Sequence, residues 1–232
     1  MKTATTMKLS KRTLDILKNF STISEHIYIP AGNKLYTIGK SNGVVAEAII
    51  DETFDSSICI YELMSFLGVV SLFDSPEFEF DSKSVTIHGS NNGEVKFHFC
   101  APQVIDKIVK NHGKYPKEGK KIFSFELSQR QIDELIRSAS VLKINTIKIS
   151  ESSKGGVNVA VVDRNNVTAN TYSIRIEDGD VSEDCNDAYI HISFLNLISG
   201  NYKIDVYDNN TTKWTHKDIN LKYYIAKDAE KD

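Results

Sequence analysis

The sequence predicts an α+β protein made of two copies of one domain, and three observations carry that expectation. Short β-branched and aromatic runs ending at turn residues recur along nearly the whole chain. A few longer segments place apolar residues at helical spacing instead. One of these recurs: Leu9-Ser10-Lys11-Arg12-Thr13-Leu14-Asp15-Ile16-Leu17 matches Leu127-Ser128-Gln129-Arg130-Gln131-Ile132-Asp133-Glu134-Leu135 at an offset of 118 residues, about half the chain. The shared pattern Leu-Ser-x-Arg-x-apolar-Asp-x-Leu exceeds a bare hydrophobic repeat. Chance likeness between two amphipathic helices is the competing explanation.

In chain order, strands are expected at 26–29, 34–38, 44–50 and 57–60, each rich in β-branched or aromatic residues. Residues 77–80, 85–88 and 94–99 alternate with period two, as half-buried strands do. The second half repeats the style at 146–150, 157–162, 171–176, 189–192, 202–207 and 221–225. Asn42-Gly43 and Asn92-Gly93 are hairpin dipeptides. Helices are expected at 10–20, with Leu14, Leu17 and Phe20 on one side and Ser10 as N-cap, and at 128–139, with Ile132, Leu135, Ile136 and Ala139. A third helix, 62–73, is apolar nearly all round except for Ser65, Gly68 and Ser71; a fourth, 194–198, is the shortest. The expected organisation is an N-terminal domain over 1–103, a polar, lysine-rich linker over 104–121 and a C-terminal domain over 122–232.

The chain has 232 residues, 41% hydrophobic and 25% charged, enough to bury a core. Its net charge of −3 excludes a uniformly positive coat but leaves room for one positive face. Cys59, Cys100 and Cys185 are odd in number and lack metal-ligand spacing, which argues against a disulfide scaffold or zinc ribbon and for a reducing compartment. The longest nearly uncharged run, 63–73, falls short of the roughly 20 residues that span a bilayer. A soluble cytoplasmic protein is expected.

Catalytic motifs are missing from the sequence. The glycines of 113–121 are spaced one residue too far apart for a phosphate loop, and Lys121 stands where Ser or Thr would hold magnesium. There is no G-x-S-x-G, H-E-x-x-H or C-x-x-C. His88, His98 and His191 lie singly on strand patterns, and the acids of 177–187 lack the glycine and terminal glutamate of a calcium loop. No enzyme activity, cofactor or metal is expected.

Charge is patterned on the repeated helices. Residues 8–20 hold four basic residues and one acid, a local +3. Lys11, Asp15 and Lys18 form a stripe opposite the apolar face, flanked by Lys8 and Arg12; on the second helix Arg130, Arg137 and Lys143 do the same, diluted by Asp133 and Glu134. A solvated helix face is the ordinary reading. Its recurrence in a duplicated domain raises the alternative of phosphate contact.

The chain resembles the sliding clamps of T-even-type bacteriophages. The likeness is carried by Met7-Lys8-Leu9-Ser10-Lys11, Leu17-Lys18-Asn19-Phe20, Ala46-Glu47-Ala48-Ile49-Ile50, Ile60-Tyr61-Glu62-Leu63 and Phe66-Leu67-Gly68-Val69-Val70-Ser71-Leu72. It continues through Leu127, Leu135, Ile136, Arg137, Leu142-Lys143-Ile144-Asn145-Thr146-Ile147 and Gly200-Asn201-Tyr202-Lys203, in order over nearly the whole chain. The resemblance implies two copies of a processivity-fold domain, sheets outside and two helices per domain lining a pore. The implied function is a homotrimeric ring that encircles duplex DNA without reading sequence and tethers the replicative DNA polymerase, with a clamp loader as further partner. The rival is a β-rich phage structural or protein-interaction module without DNA binding. Twelve helices spaced about 8–10 Å apart make a ring of axes roughly 32–38 Å across. Subtracting about 10 Å of helix thickness leaves a passage of roughly 22–28 Å, wide enough for a duplex and a thin water layer.

On this resemblance Lys8, Lys11, Arg12, Lys18, Arg130, Arg137 and Lys143 face DNA. Phe97 and Phe99 in one strand and Tyr172, Ile174 and Ile176 in another are expected to pair head to tail between subunits; a buried edge within one subunit competes. Ile108, Val109, Tyr115, Pro116, Tyr224 and Ile225 are candidates for a partner-peptide pocket, with plain linker packing as the alternative. Three departures stand out. Residues 1–6 precede the family start, as a disordered extension or an upstream start codon. Ser140 replaces an expected basic residue, and the 62–73 helix offers the pore only neutral Ser65, Gly68 and Ser71.

Overall fold

The computed structural model describes residues 5–228 apart from 42, 91 and 167. It divides into two compact units, residues 1–40 with 46–114, and residues 41–45 with 115–232.

The first unit runs β1 (Thr5–Met7), α1 (Lys11–Ile23), β2 (Ile27–Ile29), β3 (Gly32–Ile38), β4 (Val44–Phe54), β5 (Ile58–Ile60), α2 (Leu63–Val70), β6 (Glu77–Phe80), β7 (Ser84–His88), β8 (Glu94–His98), a 3-10 turn (Pro102–Ile105) and α3 (Asp106–Asn111). The second runs β9 (Lys121–Leu127), α4 (Gln129–Leu142), β10 (Thr146–Glu151), β11 (Val157–Val161), β12 (Tyr172–Ile176), β13 (Asp180–Val181), β14 (Ala188–His191), a 3-10 turn (Ile192–Leu195), β15 (Tyr202–Tyr207), β16 (Thr211–His216) and β17 (Leu221–Ala226).

Strand pairing exposes the duplication. In the first unit β1-β6-β7-β8 form one antiparallel sheet, while β2 pairs with β5 and β3 neighbours β4. In the second, β9-β15-β16-β17 repeat the first arrangement, and β14-β10-β11-β12 match the pairs β5-β2 and β4-β3, which in the first unit are not joined between β2 and β3. Each sheet follows its helix in the same order, so β8 corresponds to β17 and β12 to β4.

Local chemistry explains the helices. The Ser10 hydroxyl accepts from the Thr13 N–H at 3.2 Å and caps α1, whose Ile16, Leu17 and Phe20 are at most 1% exposed. Ser128 caps α4 reciprocally, its hydroxyl taking the Gln131 N–H while the Gln131 amide takes the Ser128 N–H. Lys143, at φ +56°, ends α4 in the left-handed region. α2 turns Leu63, Phe66 and Val70 inward. In the second unit Trp214, Tyr202 and Tyr223 are buried with their polar atoms satisfied: Trp214 Nε1 donates to Thr212 at 3.0 Å and Tyr202 to the Ile198 carbonyl at 2.6 Å.

The structure differs from the sequence reading at several elements. Residues 194–198 do not form a helix; the 3-10 turn at 192–195 stands where α2 stands in the first unit. Strands β1, β9, β13 and β16 fall where the residue pattern predicts none. Thr5 and Thr6 pair with Phe80 and Glu79, so the segment ahead of Met7 is strand where it is described; residues 1–4 lie outside the described residues. Within the segment read as linker, Asp106–Asn111 forms α3, with Ile105 and Ile108 buried. The β7–β8 hairpin closes with the Gly89 N–H donating to the Gly93 carbonyl, and Asn92, not its glycine, takes the left-handed conformation at φ +59°. Asn42 of the other hairpin dipeptide lies outside the described residues.

Candidate nucleic-acid interface

The apolar face of α1 is spent on the core, which leaves Lys11, Asp15 and Lys18 exposed on the opposite side. Lys11 and Lys18 are seven residues apart, about two turns. α2 lies beside α1, with the Ser21 hydroxyl donating to Met64 Sδ at 2.9 Å. Each unit carries an open cleft on its helical face. That of the first, ≈ 880 Å³, is lined by Lys11, Lys18, Met64, Gly68 and Ser71, and that of the second, ≈ 490 Å³, by Ile136, Ser140 and Lys143. Ser65, Gly68 and Ser71 are exposed, in line with a neutral α2 face. Met64 and Leu72, 59% and 69% exposed, add an apolar character in keeping with a segment that is apolar nearly all round.

The seven expected cations divide by partner. Lys8 pairs with Glu77 at 2.9 Å, Arg12 with Asp51 at 3.7 Å and Arg130 with Glu134 at 2.9 Å. Lys11, Lys18, Arg137 and Lys143 are exposed and make no ion pair among the described residues. An approaching phosphate would meet these four without first breaking an ion pair. Glu134 also accepts from the Tyr172 hydroxyl at 3.1 Å, and the bonds from Arg130 and Tyr172 hold its carboxyl below the usual range.

The two strands expected at a subunit contact are both sheet edges. Among the described residues β8 has only β7 as neighbour and β12 only β11. On β8, Glu94, Lys96 and His98 point outward, while Phe97 packs against Phe66 with ring centroids 5.3 Å apart. Phe99 lies just beyond the strand, its N–H donating to the Lys83 carbonyl. On β12, Tyr172, Ile174 and Ile176 are half-buried and Ser173 and Arg175 exposed. The named side chains therefore face their own unit, and what each edge offers a partner is its row of backbone groups. Within the second unit the Ala226 N–H, at the end of β17, donates to the Gly43 carbonyl of the segment 41–45.

The six residues expected at a peptide pocket fare unevenly. Tyr115 and Tyr224 have ring centroids 5.7 Å apart beside Glu118, which takes bonds from Lys213 at 2.7 Å, Tyr207 at 2.9 Å and Tyr224 at 3.2 Å. The Lys213 bond leads in holding the Glu118 carboxyl below its ordinary value. Pro116 is half-buried in the same unit, and Val109 is half-buried on α3 of the other. Ile225, Tyr224 and Ile108 correct the expectation: at 0%, 5% and 8% exposed they are core side chains, because β17 and the inner face of α3 turn them inward.

Among the described residues no group of three His, Cys, Asp or Glu side chains could hold a metal, the three cysteines are free, and no helix is long and apolar enough to cross a membrane.

Comparison with known proteins adds a second line of observation. The chain is 23% identical over 224 residues to a protein named "Sliding clamp" of Vibrio phage KVP40, covering 96% of this chain and all of that one. It is 26% identical over 234 residues to the "Sliding clamp" of Escherichia phage RB69, covering 97% and 98% of the two chains. It is 27% identical over 206 residues to that of Enterobacteria phage T4, covering 85% and 86%. No family model matches. Among solved structures, a Proliferating Cellular Nuclear Antigen from Entamoeba histolytica aligns at a TM-score of 0.69 and 13% identity, over 98% of this chain and 99% of that one. A Helicobacter pylori beta clamp aligns at 0.70 and 13%, over 99% and 67%. These structures establish the fold, a clamp fold of two domains.

Proposed function

We propose that this chain, a relative of the T-even-type phage sliding clamps over nearly its full length, is itself a sliding clamp: a processivity factor that encircles duplex DNA and tethers the replicative DNA polymerase. The observation that carries the reading is the pair of open edges in a duplicated fold. Among the described residues β8 and β12 each have one neighbouring strand, which leaves the outer side of both free. A second copy offering β12 to β8 would cover both edges, and a head-to-tail contact closes into a ring when the rotation per subunit fits. Three copies complete the ring. The rival, a module without DNA binding, is disfavoured by the relatives, which are named sliding clamps.

In that ring Lys11, Lys18, Arg137 and Lys143 are the principal DNA contacts, with Lys8, Arg12 and Arg130 engaged in ion pairs until phosphate competes. Contacts to phosphate alone let the ring translate, since base-specific bonds would trap it. Processivity then comes from topological linkage, with no chemical step and no cofactor. Tyr115 and Pro116, half-buried on the second unit, are where a short apolar peptide of the polymerase or clamp loader would seat.

The experiment is loader-dependent primer extension with the cognate polymerase. Long products appear only when the protein and loader are both present, and the charge reversals Lys11→Glu, Lys18→Glu and Arg137→Glu together shorten them while the melting curve stays two-state. Product lengths indifferent to the protein would overturn the function; unchanged lengths with the triple variant would remove the DNA-facing assignment alone.

A further inference from the structure

We propose that Glu134 is a positioning residue that couples DNA contact to the subunit seam, holding Arg130 back in an empty ring and tightening its bond to Tyr172 when Arg130 takes a phosphate. The coupling rests on the clamp reading above and adds a link that reading does not contain. Its basis is one carboxylate with two engaged oxygens. Arg130 Nε donates to Oε1 at 2.9 Å and the Tyr172 hydroxyl donates to Oε2 at 3.1 Å. Arg130 lies one turn before Glu134 on α4, and its side chain is 88% exposed, so it swings outward without unpacking anything. Tyr172 is the first residue of β12, the edge that a second copy would cover.

The exchange follows from electrostatics. While Arg130 is bound, its charge offsets that of Glu134 and weakens the acceptor presented to Tyr172. When Arg130 moves to a phosphate, Glu134 becomes an uncompensated carboxylate, and a hydroxyl donating to an ionised acceptor makes the shorter and stronger bond. Arg137, three residues on from Glu134, helps keep that carboxyl ionised throughout. The start of β12 is then pinned to α4 when DNA occupies the ring, so DNA slows subunit exchange. Linkage makes the effect reciprocal: a closed seam at Tyr172 favours release of Arg130 toward DNA. The pair is solvent-exposed, which sets the expected size at about twofold in exchange rate.

The test mixes donor-labelled and acceptor-labelled full-length trimers and follows exchange by energy transfer, with and without a short linear duplex that threads the ring. Light scattering checks the assembly in every sample. In the wild type the duplex slows exchange about twofold. In Glu134→Gln, which keeps an acceptor for Tyr172 but cannot hold Arg130 by charge, the duplex no longer changes the rate, and the salt dependence of duplex association steepens because Arg130 is already released. The added steepness vanishes in the double variant Glu134→Gln/Arg130→Gln. Equal duplex effects and equal salt slopes in wild type and Glu134→Gln overturn the coupling while leaving the clamp reading intact. A wild type that neither trimerises nor associates with duplex overturns both.

Discussion

Lys11 and Lys18 present ammonium groups to solvent two turns apart on α1, whereas Lys8 and Arg12, close by in sequence, are drawn aside by Glu77 and Asp51. Removing an unpaired cation should therefore cost more DNA binding than removing a paired one. Lys11→Ala and Lys18→Ala should each flatten the slope of log affinity against log salt by about 0.9, the amount expected when one phosphate goes unneutralised, and Lys8→Ala by less, in a fluorescence-anisotropy titration. Sequence alone puts all seven cations in one class. Glu77 and Asp51 lie far along the chain from their partners, so only tertiary structure could divide them; Glu134, four residues from Arg130, was within reach of helical spacing. Glu118 supplies a pH prediction. Its carboxyl titrates lower folded than unfolded, chiefly through Lys213, so its contribution to stability is present above the ordinary glutamate value of 4.5 and is lost as pH falls through the folded value. Glu118→Gln should flatten the acid limb of a melting-temperature profile slightly, by well under about 1 kcal/mol, because the side chain is partly solvated.

Among the elements, α1 and α4 were legible because periodicity, N-cap and core face agree in one segment. Ser10→Ala should lower stability by about 1 kcal/mol in a denaturant titration, since the Thr13 N–H would have no acceptor. Strands β9 and β16 were not legible. β9 begins directly after a lysine-rich stretch, and β16 reads Thr-Thr-Lys-Trp-Thr-His, a polar run that becomes strand because β15 and β17 pair with it on both sides. The opposite holds at 194–198, where five mostly apolar residues suggest a helix but the chain makes a single 3-10 turn before β15. Gly156 tests the edge strand. At φ +78°, a Cβ there would sit 2.2 Å from the Ile176 carbonyl oxygen, at the end of β12. Gly156→Ala should cost about 1–3 kcal/mol and loosen any assembly that uses β12, which light scattering on the folded variant would report.

For the whole molecule, the duplication was legible from nine residues of helix, and strand pairing then showed it to extend into the strands of each unit. Which edges stay open was not legible, because hydrophobic alternation is the same on an edge strand as on an interior one. Light scattering across a concentration series should find a species near three times 26.1 kDa, with no dimer or tetramer plateau. The open edges also make dilution hazardous. A protomer parted from its neighbours carries two unsatisfied rows of peptide groups, each a template for any passing strand. Lys96 on β8 and Arg175 on β12 stud those rows with charge, which discourages unrelated chains from settling there. Replacing them with valine or threonine should leave a protein that behaves at high concentration and precipitates on dilution, when solitary copies outnumber assembled ones.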